Sequence, residues 1–277
     1  MFQTEQIIFI IVTIIIDSNF GHRSLFFTLM KTICVILVLL LSMSVANGQT
    51  DIGNKTDSLT TKRQKNIKLL KRSILPVSLI TIGSIASGKA CERNLQSFIR
   101  ESIGDGFEFH IDDYLQYAPI VEMYIADIAG VKSRNHWFDQ TKYLLISNLV
   151  SGGITQGLKF LIDKSRPNSG KHSFPSGHTT LAFTNATVLF YEFKDTSPLI
   201  AYSGYLFAVT TGVFRILNNK HWLSDVLAGA GIGIISTELV YHFEPFKKIN
   251  PFKKSKNITL IPQVGGDRYG LYLVYKF

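Results

Sequence analysis

The sequence predicts an all-α bundle of about six helices followed by a short C-terminal β-hairpin. Three observations predict it. Hydrophobic residues make up 46% of the 277 residues and charged residues only 18%, a balance that suits a heavily buried or membrane-associated helical protein. From Ile74 onward, long apolar stretches alternate with Gly, Pro and polar breaks. After Phe243 the character changes to short runs of β-branched and aromatic residues around Gly265-Gly266.

Residues 1–29 read as an upstream extension of the reading frame, with an apolar run, Ile7 to Ile16, too short for a span and broken by Asp17-Ser18-Asn19. Residues 30–48 read as a secretory signal peptide. Met30-Lys31 supplies its positive start, Ile33 to Leu41 its apolar core and Ala46-Asn47-Gly48 its small-residue cleavage site. Residues 49–73 are polar and read as a linker. The helical domain proper is predicted over 74–246, with candidate helices Ile74–Ser87, Asp113–Gly130, Asp139–Asp163, Thr179–Phe193, Pro198–Leu217 and Trp222–Phe243. Within the last, Ala228-Gly229-Ala230-Gly231-Ile232-Gly233 offers a groove for close packing. Residues 247–277 form a basic linker and a hairpin tail. Two strands cannot close a barrel, so a hairpin packed on the helical domain is the plainer reading of the tail.

The formal net charge of +9 favours anionic partners, namely phosphate esters or acidic lipid head groups. Nucleic acid is set aside, because the basic runs Lys62 to Arg72 and Lys247 to Lys254 carry no binding motif. Of the two cysteines, Cys34 lies in the signal segment, so Cys91 alone would remain and no intrachain disulfide is expected. No Cys/His cluster has zinc-ligand spacing, and no cofactor is implied.

The chemistry concentrates between Lys159 and Asp225. Lys159 and Arg166 stand seven residues apart, about two helical turns, on one face of a helix or just past its end. Pro167 stops that helix. Pro175-Ser176-Gly177-His178 then makes a tight turn into the next helix. There Ser176 can cap the helix or donate to phosphate, and the Gly177 amide points at an anion. His178 in that first turn can reach a leaving oxygen. Arg215 follows, then His221 and Asp225, four apart and sharing a face. Asp225 can hold one ring nitrogen of His221 and leave the other free to attack. Guanidinium groups grip phosphate oxygens in pairs.

Together these residues resemble the type 2 phosphatidic acid phosphatase (PAP2) superfamily, which also contains bacterial class A acid phosphatases and vanadium haloperoxidases. The likeness rests on Lys159 with Arg166-Pro167, on Pro175-Ser176-Gly177-His178, and on Arg215 with His221 and Asp225. It implies a PAP2-like helical bundle. It also implies that His221 is the nucleophile that becomes a phosphohistidine, that Asp225 orients it, and that His178 is the acid and then the base. Lys159, Arg166, Ser176, Gly177 and Arg215 would form the phosphate cradle. Two positions depart from the family pattern. Phe214 stands where a serine is frequent, and the loop Asn168 to Phe174 is short, with Lys171 and His172 as candidate substrate contacts.

The resemblance implies a metal-independent phosphatase of lipid phosphate or diphosphate esters. A broad-specificity periplasmic acid phosphatase, a vanadate-dependent haloperoxidase and a non-catalytic envelope protein are the alternatives. Partners would be a phosphorylated lipid or small phosphate ester and the membrane. The expected place is the cell envelope, facing the periplasm, as a membrane-associated or integral protein. The helices look awkward as spans, since Glu122, Asp127, Asn148, Ser151, Thr155 and Gln156 interrupt them. Oligomeric state is left open by the sequence.

Overall fold

A computed structural model of the chain describes residues 58–104, 106–247, 249–251, 258–265 and 268–275, with side chains for those between 64 and 251. The upstream extension, the signal segment and the start of the linker lie outside the described residues. Eight helices occur among them: α1 (Ser58–Ala86), α2 (Ala90–Ile103), α3 (Asp112–Leu115), α4 (Ala118–Ile128), α5 (Trp137–Leu161), α6 (Gly177–Phe193), α7 (Pro198–Leu217) and α8 (Leu223–Phe243). The fold is all-α. In the tail, Ile258–Gly265 (β1) and Arg268–Tyr275 (β2) pair antiparallel, Ile258 opposite Tyr275.

Three elements differ from expectation. The polar stretch taken for a linker is helical from Ser58. Its Lys, Arg, Gln and Leu residues are strong helix formers, whereas a flexible linker would be rich in Gly, Ser or Pro. Helix α2 was not expected. Its apolar stripe is only Leu95, Ile99 and Ile103, with charged residues around it. The predicted helix Asp113–Gly130 is broken in two, because Pro119 lacks an N–H and is tolerated only in the first turn of α4.

Helix α6 is the centre, packed by α4, α5, α7 and α8. Its Val188, Leu189 and Phe193 are fully buried, and burying each such side chain contributes about 1.5–3 kcal/mol. Hydroxyls fill the seams that apolar groups leave. Thr184 donates to Ser151 Oγ at 2.9 Å, and Thr155 reaches Thr180 Oγ1 at 3.2 Å. The glycine stripe of α8 is used on two sides within the chain. A β-carbon at Gly231 would lie 2.5 Å from the Pro76 carbonyl of α1, and one at Gly233 2.5 Å from the Thr180 carbonyl of α6. Helix α1 answers with Gly83, whose β-carbon would lie 2.6 Å from the Ser224 carbonyl. Backbones therefore touch at these contacts, as small residues permit.

Gln64–Ala86, Pro198–Leu217 and Leu223–Phe243 are long and apolar enough to cross a membrane. This corrects the expectation that the helices are awkward as spans, which was drawn from the polar residues of the α4 and α5 regions. The first of the three is 11% buried within the protein and the last 72%. Apolar character thus serves packing in α8, whereas α1 turns Ile67, Leu70, Ile74, Val77, Ile82 and Ile85 outward.

Candidate active site

One end of the bundle gathers the C-terminal ends of α5 and α7 and the N-terminal ends of α6 and α8. Short loops lock these ends together. Ser176 N–H donates to the Asp225 carbonyl at 3.0 Å, and the amides of Lys220 and His221 both donate to the Arg215 carbonyl. The turn before α6 is thereby fixed to the first turn of α8, and the loop after α7 folds back on its last turn.

His221 is 2% exposed. Its Nδ1 lies 3.4 Å from Asp225 Oδ2, and no well-formed hydrogen bond reaches that nitrogen. Burial pushes the imidazole down to about 4 against the pull of Asp225, so it is neutral at neutral pH. Asp225 is itself heavily engaged. Oδ2 accepts from the Trp222 amide at 2.9 Å, closing a capping box on α8, and from Ser173 Oγ. Oδ1 accepts from Lys164 Nζ at 2.9 Å.

The three cations expected at the site are brought together. Burial first, then Arg166 and Arg215, lower Lys159 to about 8. Burial and then Arg215 lower Arg166 as well. Lys159 Nζ donates to the His172 carbonyl at 2.7 Å, and His172 Nδ1 meets the Lys159 carbonyl at 2.9 Å. His172 thus braces Lys159. Arg166 Nε donates to the Lys171 carbonyl at 3.2 Å. Arg215 Nη1 pairs with Asp112 at 2.7 Å and Asp113 at 3.4 Å, while its buried Nε has no partner.

The Pro-Ser-Gly-His turn opens α6 as the sequence predicts. Ser176 is the N-cap residue but makes no side-chain cap bond. Its Oγ accepts from Thr179 Oγ1 at 2.9 Å and keeps its own hydrogen to donate. A β-carbon at Gly177 would meet Lys159 Cε at 3.9 Å, so the first turn of α6 lies beside Lys159. His178 Nε2 lies 3.0 Å from Asp113 Oδ1. Burial and then Arg215 hold its pKa below the ordinary 6.5. Phe214 supplies no donor and instead packs on Phe109, ring centroids 5.6 Å apart.

Sequence reasoning missed a second layer. Lys164 Nζ reaches both Glu92 oxygens, at 3.0 and 3.1 Å, as well as Ser224 Oγ at 2.7 Å and Asp225. It also lies 5.7 Å from the Trp222 ring and 5.8 Å from that of Phe174. Lys164 was discoverable as a third cation between Lys159 and Arg166. Nothing in the spacing signals Glu92, Asp112 or Asp113, which arrive from α2 and α3.

Residues 168–249 match the sequence profile of the PAP2 superfamily. The chain is 35% identical over 153 residues to the lipid A 1-phosphatase of Porphyromonas gingivalis, covering 53% of this chain and 34% of that one. It is 40% identical over 68 residues to an acid phosphatase of Zymomonas mobilis, covering 24% of each. The match thus spans about a third and a quarter of these curated relatives. Among solved structures, Aquifex aeolicus LpxE aligns with a TM-score of 0.42 at 22% identity, covering 57% of this chain and 97% of that one. A transmembrane PAP2-type phosphatidylglycerolphosphate phosphatase from Bacillus subtilis aligns with a TM-score of 0.47 at 20% identity, covering 65% and 99%. The segment that matches the PAP2 superfamily profile holds the Pro-Ser-Gly-His turn, Arg215, His221 and Asp225.

Proposed function

We propose that the protein is a metal-independent phosphatase that hydrolyses lipid phosphate or diphosphate esters through a phosphohistidine. The observation that carries this reading is the gathering of Lys159, Arg166 and Arg215 near a buried, neutral His221, close enough that Arg166 and Arg215 both depress Lys159 and Arg215 depresses Arg166. Such a group is short of negative charge and is relieved by a phosphate. The lipid A 1-phosphatase and acid phosphatase relatives support a phosphate ester substrate. Phe160 and Leu161, next to Lys159, are 77% and 82% exposed. Together with the three apolar helices they favour a substrate held at a bilayer surface. We assign the site to the periplasmic side of the cell envelope, on the strength of the signal segment expected at 30–48.

In this mechanism the cradle of Lys159, Arg166, Ser176, the Gly177 amide and Arg215 holds the phosphoryl oxygens. His221 Nε2 attacks phosphorus, and the bond to the leaving oxygen breaks with its electron pair going to that oxygen. His178, protonated, gives its proton there. Water then attacks the phosphohistidine, His178 takes the water's proton, the P–N bond breaks and inorganic phosphate leaves. The Asp225 carboxylate stabilises the positive charge that His221 acquires in the first step.

Phosphate release from a panel of lipid A, phosphatidic acid, polyprenyl diphosphate and soluble phosphate esters, with chelator present, tests the reading. Turnover of lipid phosphates in chelator is expected. Dependence on a restored divalent ion, or turnover confined to soluble esters, would overturn it.

The pH dependence follows from the two imidazoles. His221 attacks only when neutral, so activity is lost as pH falls through about 4. His178 donates only when protonated, and its pKa lies below 6.5, so activity is lost as pH rises through that value. A bell in kcat/KM with its maximum between about 4 and 6.5 is expected. A plateau that extends above pH 8 would contradict the assignment.

A further inference from the structure

We infer that Asp113 is the positioning residue of the leaving-group histidine: from the short helix α3 it holds His178 Nε2, so that Nδ1 is the atom that delivers the proton. The inference rests on the reading of His178 given above.

Its basis is geometric. Two consecutive carboxylates face one arginine. Asp112 is fully buried and takes Arg215 Nη1 at 2.7 Å with one oxygen and Asn218 Nδ2 at 2.9 Å with the other. Asp112 is thereby committed to Arg215 and Asn218. Asp113 lies farther from Arg215, at 3.4 Å, and spends the same Oδ1 on His178 Nε2 at 3.0 Å. The segment that carries both is fastened to α7. Phe109 N–H donates to Asn218 Oδ1 at 2.9 Å, and Asn218 Nδ2 donates to the Phe109 carbonyl at 2.8 Å. Phe109 also packs its ring, tilted by 46°, against Phe214. The Phe at position 214 thus buttresses the segment that brings the carboxylates in.

A carboxylate on one imidazole nitrogen fixes the tautomer and turns the other nitrogen to the task. With Nε2–H donated to Asp113, protonated His178 presents Nδ1–H to the leaving oxygen. That proton transfers as the P–O bond breaks, and neutral Nδ1 then accepts the proton of the attacking water. The two histidines of the site therefore each have their own aspartate, Asp225 for His221 and Asp113 for His178.

The charged groups facing His178 are Asp112 and Asp113 from α3 and Arg215 from α7, while Lys159 of α5 approaches the same turn at Gly177. His110 lies 3.8 Å from the other oxygen of Asp113. Burial and Arg215 lower the His178 pKa, and the two aspartates raise it. Removing the Asp113 charge lowers it further.

The test is Asp113→Asn in the full chain, in detergent micelles. Four results are expected. The alkaline limb of kcat/KM moves to lower pH. An alkyl phosphate loses on the order of tenfold or more in rate beyond a nitrophenyl phosphate, because only the poor leaving group needs the acid. Asp113→Glu restores the limb toward its original position. In a His178→Ala background the substitution adds little. Equal loss on both esters with an unmoved limb, or full additivity with His178→Ala, would overturn the inference and leave Asp113 a brace for Arg215 alone. NMR titration of His178, identified by its absence from His178→Ala, reads the same pair without turnover. A drop in its pKa on Asp113→Asn is expected, and an unchanged value overturns the inference. If the unmodified protein hydrolyses none of the esters, the proposed function fails, and this titration still decides the pairing.

Discussion

Replacing His221 with alanine is expected to lower turnover by about a thousandfold or more while leaving the protein folded. The imidazole lies in a pocket formed by fixed neighbours, and its removal leaves the Lys164 and Ser173 bonds to Asp225 in place. The loss should appear equally with good and poor leaving groups, since attack on phosphorus is needed whatever departs. Enzyme quenched in alkaline denaturing detergent should yield a base-stable, acid-labile phosphoenzyme in the unmodified protein and none in the variant. Near-normal turnover in folded His221→Ala would remove His221 from the mechanism.

The second large effect is expected at Lys164. Its ammonium holds two buried carboxylates, Glu92 and Asp225, that face each other across Ser224. Lys164→Met leaves both charges buried without a cation, a change that costs about 3–5 kcal/mol when one partner of a buried ion pair is lost. Stability in denaturant should fall by that order, and turnover should fall with it, because the carboxylate behind His221 loses its fixed place. Adding Glu92→Gln to Lys164→Met should recover part of the stability by removing one unpaired charge. A Lys164→Met protein as stable as the original would show that the network is solvated and carries little.

Legibility from sequence followed the range of the interaction. Helix α7 was read at its observed bounds, since Pro198 opens it and no charged residue interrupts it before Arg215. The grouping of Lys159 with Arg166, and of His221 with Asp225, was legible because helical spacing places such pairs on one face. Helix α2 was missed because its apolar stripe is narrow. Asp112 was missed for a different reason. It meets Arg215 across 103 positions of chain, and no periodicity encodes such a contact. Phe214 shows the same limit. From sequence it is a missing donor, whereas in the fold it is the seat for Phe109. The residues proposed to hold phosphate were written in motifs, and the residues that brace them were not.

Helix α8 touches backbone on two opposite sides, through Gly231 toward α1 and Gly233 toward α6. Turning it about its axis would drive Ala230 or Ile232 into seats that admit no β-carbon, and sliding it by one residue would do the same. The helix therefore has neither a rotational nor an axial degree of freedom while α1 and α6 stay in place. Asp225 sits in its first turn, so the carboxylate behind His221 is a fixed reference point to which the rest of the site must adjust.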